Sequence, residues 1–250
     1  INISTRSQTG TAANTLIAGF VISGTDAKPV LVRAIGPSLA GFGVTGALSA
    51  ARLEIFRGQA SLAVGTDWGA APNAATITAT AARVGAFPLA ATSRDAALLL
   101  SLAPGAYTAV VTGQGGASGV SLVEVYDATV GAIPRTERII NIATRATAGI
   151  GDNALIAGFV VNGTVPKRVL IRGVGPALAP FGVGGVLARP QLAVNSGATV
   201  LAQNAGWSTS ADASAIAAAA AQVGAFALAA GSQDAALIIN LAPGAYTAGV

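Results

Sequence analysis

The chain has 250 residues with a formal net charge of +4 and contains no Cys, His or Met, a length that fits one large domain or two of about 100–150 residues. The missing Cys and His exclude disulfides, thiol nucleophiles, Cys/His zinc centres and histidine-based catalytic triads. Charged residues make up 10% of the chain and hydrophobic ones 52%, against about 25% charged in an ordinary soluble domain, so the chain is expected to be embedded in something or assembled into something.

Most segments read as strands. Leu16, Ala18, Phe20 and Ile22 alternate along one face, and Val30, Val32 and Ala34 oppose Leu31, Arg33 and Ile35, the period-two pattern of a strand. Gly41-Phe42-Gly43-Val44-Thr45-Gly46 matches GxGxxG. A dinucleotide site needs that loop between a strand and a helix, and Leu53-Glu54-Ile55-Phe56 downstream reads as a strand. A tight turn is expected there. The Ala-rich stretch 74–84, preceded by Asn73 in the N-cap position, predicts a short helix. Leu98, Leu100 and Leu102 then form a strand, Pro104-Gly105 suits a type II turn, and a Gly-rich turn over 113–119 leads into a last strand, Val120–Tyr126.

From residue 140 the pattern starts again. Ile1-Asn2-Ile3-Ser4-Thr5-Arg6 returns as Ile140-Asn141-Ile142-Ala143-Thr144-Arg145, and Leu102–Thr108 returns as Leu241–Thr247. The offset is 139 residues throughout, without insertion or deletion, and 59 of the 111 overlapping positions are identical. Self-similarity at a fixed period marks repeated structural units. The expected organisation is a β-sandwich repeat over 1–129, a linker over 130–139 and a second repeat over 140–250 that lacks the final strand. The expected fold class is all-β: two tandem, jelly-roll-like sandwiches of one topology, each with one short helix, the second over 213–223 with Asp212 before it.

Candidate sites are few. Arg33 and Asp95 recur as Arg172 and Asp234, and in so charge-poor a chain they are expected to act as structural charge pairs or backbone clamps. Carboxylate chemistry usually pairs two acids. Asp67 and Glu54 have Gly206 and Ala193 as counterparts, and Glu124 has none, so no catalytic residue, cofactor or metal is expected. Trp68 and Trp207 are candidates for sugar stacking, with burial in the core as the alternative. The 12 Arg and 2 Lys are scattered singly, whereas nucleic-acid binding needs a basic patch or stripe. The longest apolar stretch, 215–230, is mostly Ala and does not suit a transmembrane span of about 20 residues.

The Leu16–Phe20, Leu53–Gly58, Thr66-Asp67-Trp68 and Pro104–Thr108 segments, with the closing Val-rich strand, resemble β-sandwich modules of the pre-peptidase C-terminal type. Ile35–Ala40 is similar to tandem repeats of large bacterial surface proteins. The resemblance implies a secreted, non-catalytic module used for binding, spacing or assembly. A chain that opens at Ile1 without Met is expected to be a processed product or a fragment. Taken together, these features predict an exported bacterial structural protein at the cell surface, assembling head-to-tail with copies of itself into a fibre, filament or layer. Ile1, Asn2 and Ile3 are the candidate assembly strand, donated to a repeat that lacks its last strand. The alternative is a polysaccharide-binding or adhesion module.

Overall fold

Alternation along the chain becomes alternation of burial in the computed structural model, which describes residues 2–11, 14–131, 136–149 and 154–250. The chain divides into two units, Ile1–Gly149 and Ile150–Val250. The first contains β1 (Asn2–Thr9), β2 (Leu16–Ser23), β3 (Lys28–Ile35), β4 (Ala51–Arg57), β5 (Ala60–Thr66), α1 (Ala74–Arg83), β6 (Ala96–Leu102), β7 (Gly105–Gly113), β8 (Gly119–Asp127) and β9 (Arg138–Arg145). They form two antiparallel sheets, ordered β1-β8-β3-β6 and β5-β4-β7-β2-β9. Leu16, Phe20, Val30, Val32, Leu53, Ile55, Val111, Val123 and Val125 fill one core drawn from both sheets, the arrangement of a β-sandwich.

β2 and β4 bury every second residue, but β3 is buried on nearly all positions. The reason is a third layer. Leu31, Ala97 and Tyr126 point away from the sandwich core and pack beneath α1 against Trp68, Ile77 and Ala81. A strand covered on both faces loses the in-out pattern of a half-exposed one.

The second unit contains β10 (Ile156–Val161), β11 (Lys167–Gly173), β12 (Leu192–Ser196), β13 (Thr199–Asn204), α2 (Ala213–Gln222), β14 (Ala235–Leu241) and β15 (Gly244–Gly249). β10, β15, β12 and β13 pair in that order, and β11 pairs with β14, all antiparallel. Leu192, Val194, Ala235, Leu237 and Ala248 form its core, and Trp207, Ile216 and Ala236 form a second cluster under α2. Asn73 and Asp212 stand at the N-caps of α1 and α2, but neither side chain makes a capping hydrogen bond. No helix of the described residues is long and apolar enough to cross a membrane.

Two segments lie where the repeat pattern alone does not put them. Residues 140–149 open the second repeat by sequence, yet β9 is the edge strand beside β2 in the first unit, paired from Ile17↔Arg145 to Ser23↔Arg138 with one register shift after Val21. Arg138 and Ile139, at the end of the expected linker, belong to that strand, and Ile139 is buried in the core. Of the candidate assembly strand, Ile1 lies outside the described residues. Asn2 and Ile3 belong to β1, which is paired along its length with β8, Asn2 opposite Tyr126 and Thr9 opposite Gly119. β1 is therefore a built-in sheet strand of its own unit.

Two equivalent glycines fix the exit from β3 and β11. A Cβ on Gly36 would collide with the backbone carbonyl of Leu48, and one on Gly175 with that of Leu187. Neither φ is in the left-handed region, so closeness of approach is the constraint. Gly36→Ala and Gly175→Ala should each cost about 1–3 kcal/mol, as overpacking does; thermal melting of the two variants checks this, and an unchanged Tm would show that the loop yields.

Candidate functional site

The repeated charges build the same cradle in each unit, and the strand beside the cradle differs. In the first unit Arg33 is 1% exposed, on the helix-facing side of β3. Its Nη1 donates to the carbonyl of Phe87 at 2.6 Å, and its guanidinium lies 4.6 Å from the Phe87 ring centre. Its carboxylate partner is Glu124 on β8, at 2.7 Å from Nε and 2.6 Å from Nη2. The second oxygen of Glu124 accepts from the Tyr126 hydroxyl at 2.8 Å and from Ser4 on β1 at 3.3 Å. Arg33 and Asp95 thus each have partners of their own. Asp95, fully buried, accepts from the Gly36 backbone N–H at 2.7 Å and the Ser38 hydroxyl at 2.5 Å, clamping the turn that leaves β3.

In the second unit Asp234 does the same, accepting from the Gly175 N–H at 2.8 Å and from Ser232 at 2.7 Å. Arg172 donates to the carbonyl of Phe226 at 2.6 Å and stacks on its ring at 4.4 Å. Burial pushes the Arg172 guanidinium below its ordinary value, and the nearby Asp234 charge partly opposes that. Among the described residues no carboxylate forms an ion pair with Arg172. Beside it a cleft opens, lined by Trp207, Ile216, Ala220, Ala225 and Leu228. The equivalent volume of the first unit is occupied by Tyr126, packed against Trp68, Ile77, Ala81 and Ala86.

A second basic residue follows the same rule. The two lysines of the chain, Lys28 and Lys167, are themselves 139 apart. Lys28 is 2% exposed, and its ammonium meets Asp127 of β8 at 2.8 Å and the Thr129 hydroxyl at 3.0 Å. Lys167 is exposed and is without an ion pair among the described residues. Sequence reasoning misses Lys28 and Asp127, although a single lysine at one position of each repeat is a signal for Lys28.

Neither tryptophan offers a face to a sugar. Trp68 and Trp207 are 5% and 7% exposed, lie under α1 and α2, and donate Nε1–H to the carbonyls of Ala90 and Ala229 and the hydroxyls of Ser93 and Ser232. The Gly41–Gly46 motif begins within a 3-10 helix over Pro37–Phe42, and Gly43 and Gly46 take left-handed turn conformations. Asp67 accepts from Arg94 and Gln114. No family model matches the chain, and no curated protein matches it.

Removing one member of a buried ion pair strands the other charge. Glu124→Ala should therefore cost about 3–5 kcal/mol. Arg172→Ala removes one backbone hydrogen bond and a ring contact, about 1–2 kcal/mol. Urea titrations of the two variants should show that ranking; equal losses would mean that the Arg33–Glu124 pair adds nothing to the cradle.

Asp127 adds a pH dependence. Burial pushes its carboxyl up, but hydrogen bonds from Lys28 and Thr129, with the Lys28 charge, outweigh this and hold it below its ordinary value. A carboxyl depressed in the folded state contributes stability above its unfolded pKa of about 3.9 and loses it as pH falls through the folded value. Asp127→Asn should destabilise at pH 7 and flatten the loss of stability below about pH 4, as read from denaturation midpoints across pH.

Proposed function

We propose that the chain is an exported, non-catalytic structural repeat protein whose tandem β-sandwich domains interlock by sharing strands. One observation carries the reading: the first strand of the second repeat, β9, completes a sheet of the first unit. β1 and β9 carry one hexapeptide that differs between them only at Ser4 and Ala143, and both stand in the same sandwich, β1 beside β8 and β9 beside β2. Thr5 and Thr144, equivalent residues of the two repeats, hydrogen-bond to each other at 2.9 Å, and Ile3 and Ile142 both pack against the core. Ser7 also donates to the Thr147 carbonyl at 3.1 Å.

A repeat of this kind completes itself with the opening strand of the next one. β10 repeats most of the sequence of β2, on which β9 docks, so its edge suits a strand of the Ile1–Arg6 type. Exchange of that strand between copies is a heterologous, head-to-tail contact, and such a contact propagates. Low charge leaves little repulsion to oppose it. The resemblance to modules of secreted bacterial proteins supports an extracellular or cell-surface location.

Sedimentation and negative-stain microscopy of the purified 250-residue chain over a concentration series test the reading. Open-ended fibres that shorten when a peptide of sequence Ile140–Arg145 is added are expected. A monodisperse monomer at every concentration overturns it.

A further inference from the structure

We propose that the outer edge of β11, with the cleft beside Arg172, is an acceptor site for one extended segment carrying Glu and Tyr two residues apart. β11 pairs with β14 alone among the described residues, whereas its counterpart β3 is flanked by both β6 and β8. An open strand edge presents unpaired N–H and C=O groups that template an incoming strand.

The first unit specifies the register of that strand. β8 runs antiparallel to β3 with Glu124 opposite Arg33, Tyr126 opposite Leu31 and Asp127 opposite Val30. On β11 the same alignment puts Glu opposite Arg172, Tyr opposite Leu170 and Asp opposite Val169. The incoming Glu then meets the Arg172 guanidinium, which forms no ion pair among the described residues, and the ring fills the cleft against Trp207, Ile216 and Leu228. The incoming Asp meets Lys167, as Asp127 meets Lys28. Every other part of the cradle is already in place in the second unit: Phe226 under the guanidinium, the Phe226 carbonyl on Nη1, and Asp234 in the turn. The charges, the aromatic volume and the unpaired edge all require the same strand chemistry.

The occupant is an extended Glu-x-Tyr-Asp segment of β8 type, laid antiparallel along β11 in that register. The β8 of a second copy is held between its own β1 and β3, with Ser121 and Glu124 buried, and is freed only by unfolding its unit. The site does not depend on fibre formation, because it concerns a different strand and a different edge from those that join successive units.

The test is a fluorescein-labelled peptide of sequence Gly119–Asp127, titrated into the 250-residue protein and followed by anisotropy. Saturable 1:1 binding is expected. Replacing the peptide Glu by Lys should weaken it at least about tenfold, the scale of a lost charge-assisted hydrogen bond. Arg172→Glu should weaken the parent peptide similarly and restore the Lys peptide. The peptide charge reversal alone suffices if the protein variant does not fold. No binding of the parent peptide, equal binding of a scrambled one, or binding indifferent to both charge reversals overturns the proposal, whatever the protein does in the fibre assay.

Discussion

A guanidinium taken out of water obliges the fold to put a carboxylate beside it. Arg33 is deep between a sheet and a helix, and desolvating a lone charge there is costlier than most single interactions can offset. Glu124 meets that obligation, and its position fixes β8 next to β3. Once β8 is there, Tyr126 fills the space under α1, Asp127 neutralises Lys28, and β1 gains the neighbour it pairs with. The first sheet of the sandwich is organised around this ion pair.

The same obligation accounts for the contrast between the units. Arg172 is less buried than Arg33 and makes all of the contacts of Arg33 that do not come from β8. Exposure rises from Lys167 to Arg172 relative to Lys28–Arg33. The apolar residues that α1 and Trp68 shield in one unit have their equivalents under α2 and Trp207 in the other, so the helix layer is built alike in both.

Much of this was legible in the sequence because the signals are local. Alternation at Leu16–Ile22 gave a strand with alternating burial, and the Ala-rich stretches gave helices ending one residue short of the expected bounds. The recurrence of Arg33 and Asp95 pointed to the cradle. What escaped was the partnering. Arg33 and Asp95 recur together, but Asp95 is bound to the turn amide of Gly36, while the carboxylate for Arg33 comes from a strand 91 residues away. Glu124 has no second copy in the chain and so no recurrence to mark it. The Trp side chains carried no sign of which face they occupy, because burial under a ten-residue helix depends on how that helix docks. The assignment of β9 escaped for a related reason: repetition shows where a pattern begins, whereas a sheet edge is filled by whichever strand has the right apolar face.

That last placement bears on the order of events as the chain emerges N-terminus first. β2 lies near the start of the chain, yet its outer edge is covered by residues up to Arg145. At synthesis rates of about 5–20 residues per second, β2 waits on the order of ten seconds for its partner. During that interval the nascent sandwich shows an open, apolar edge, and pairings so distant along the chain close slowly. The first unit finishes folding only after the second repeat has begun to appear, which makes the repeats successive steps of one vectorial process.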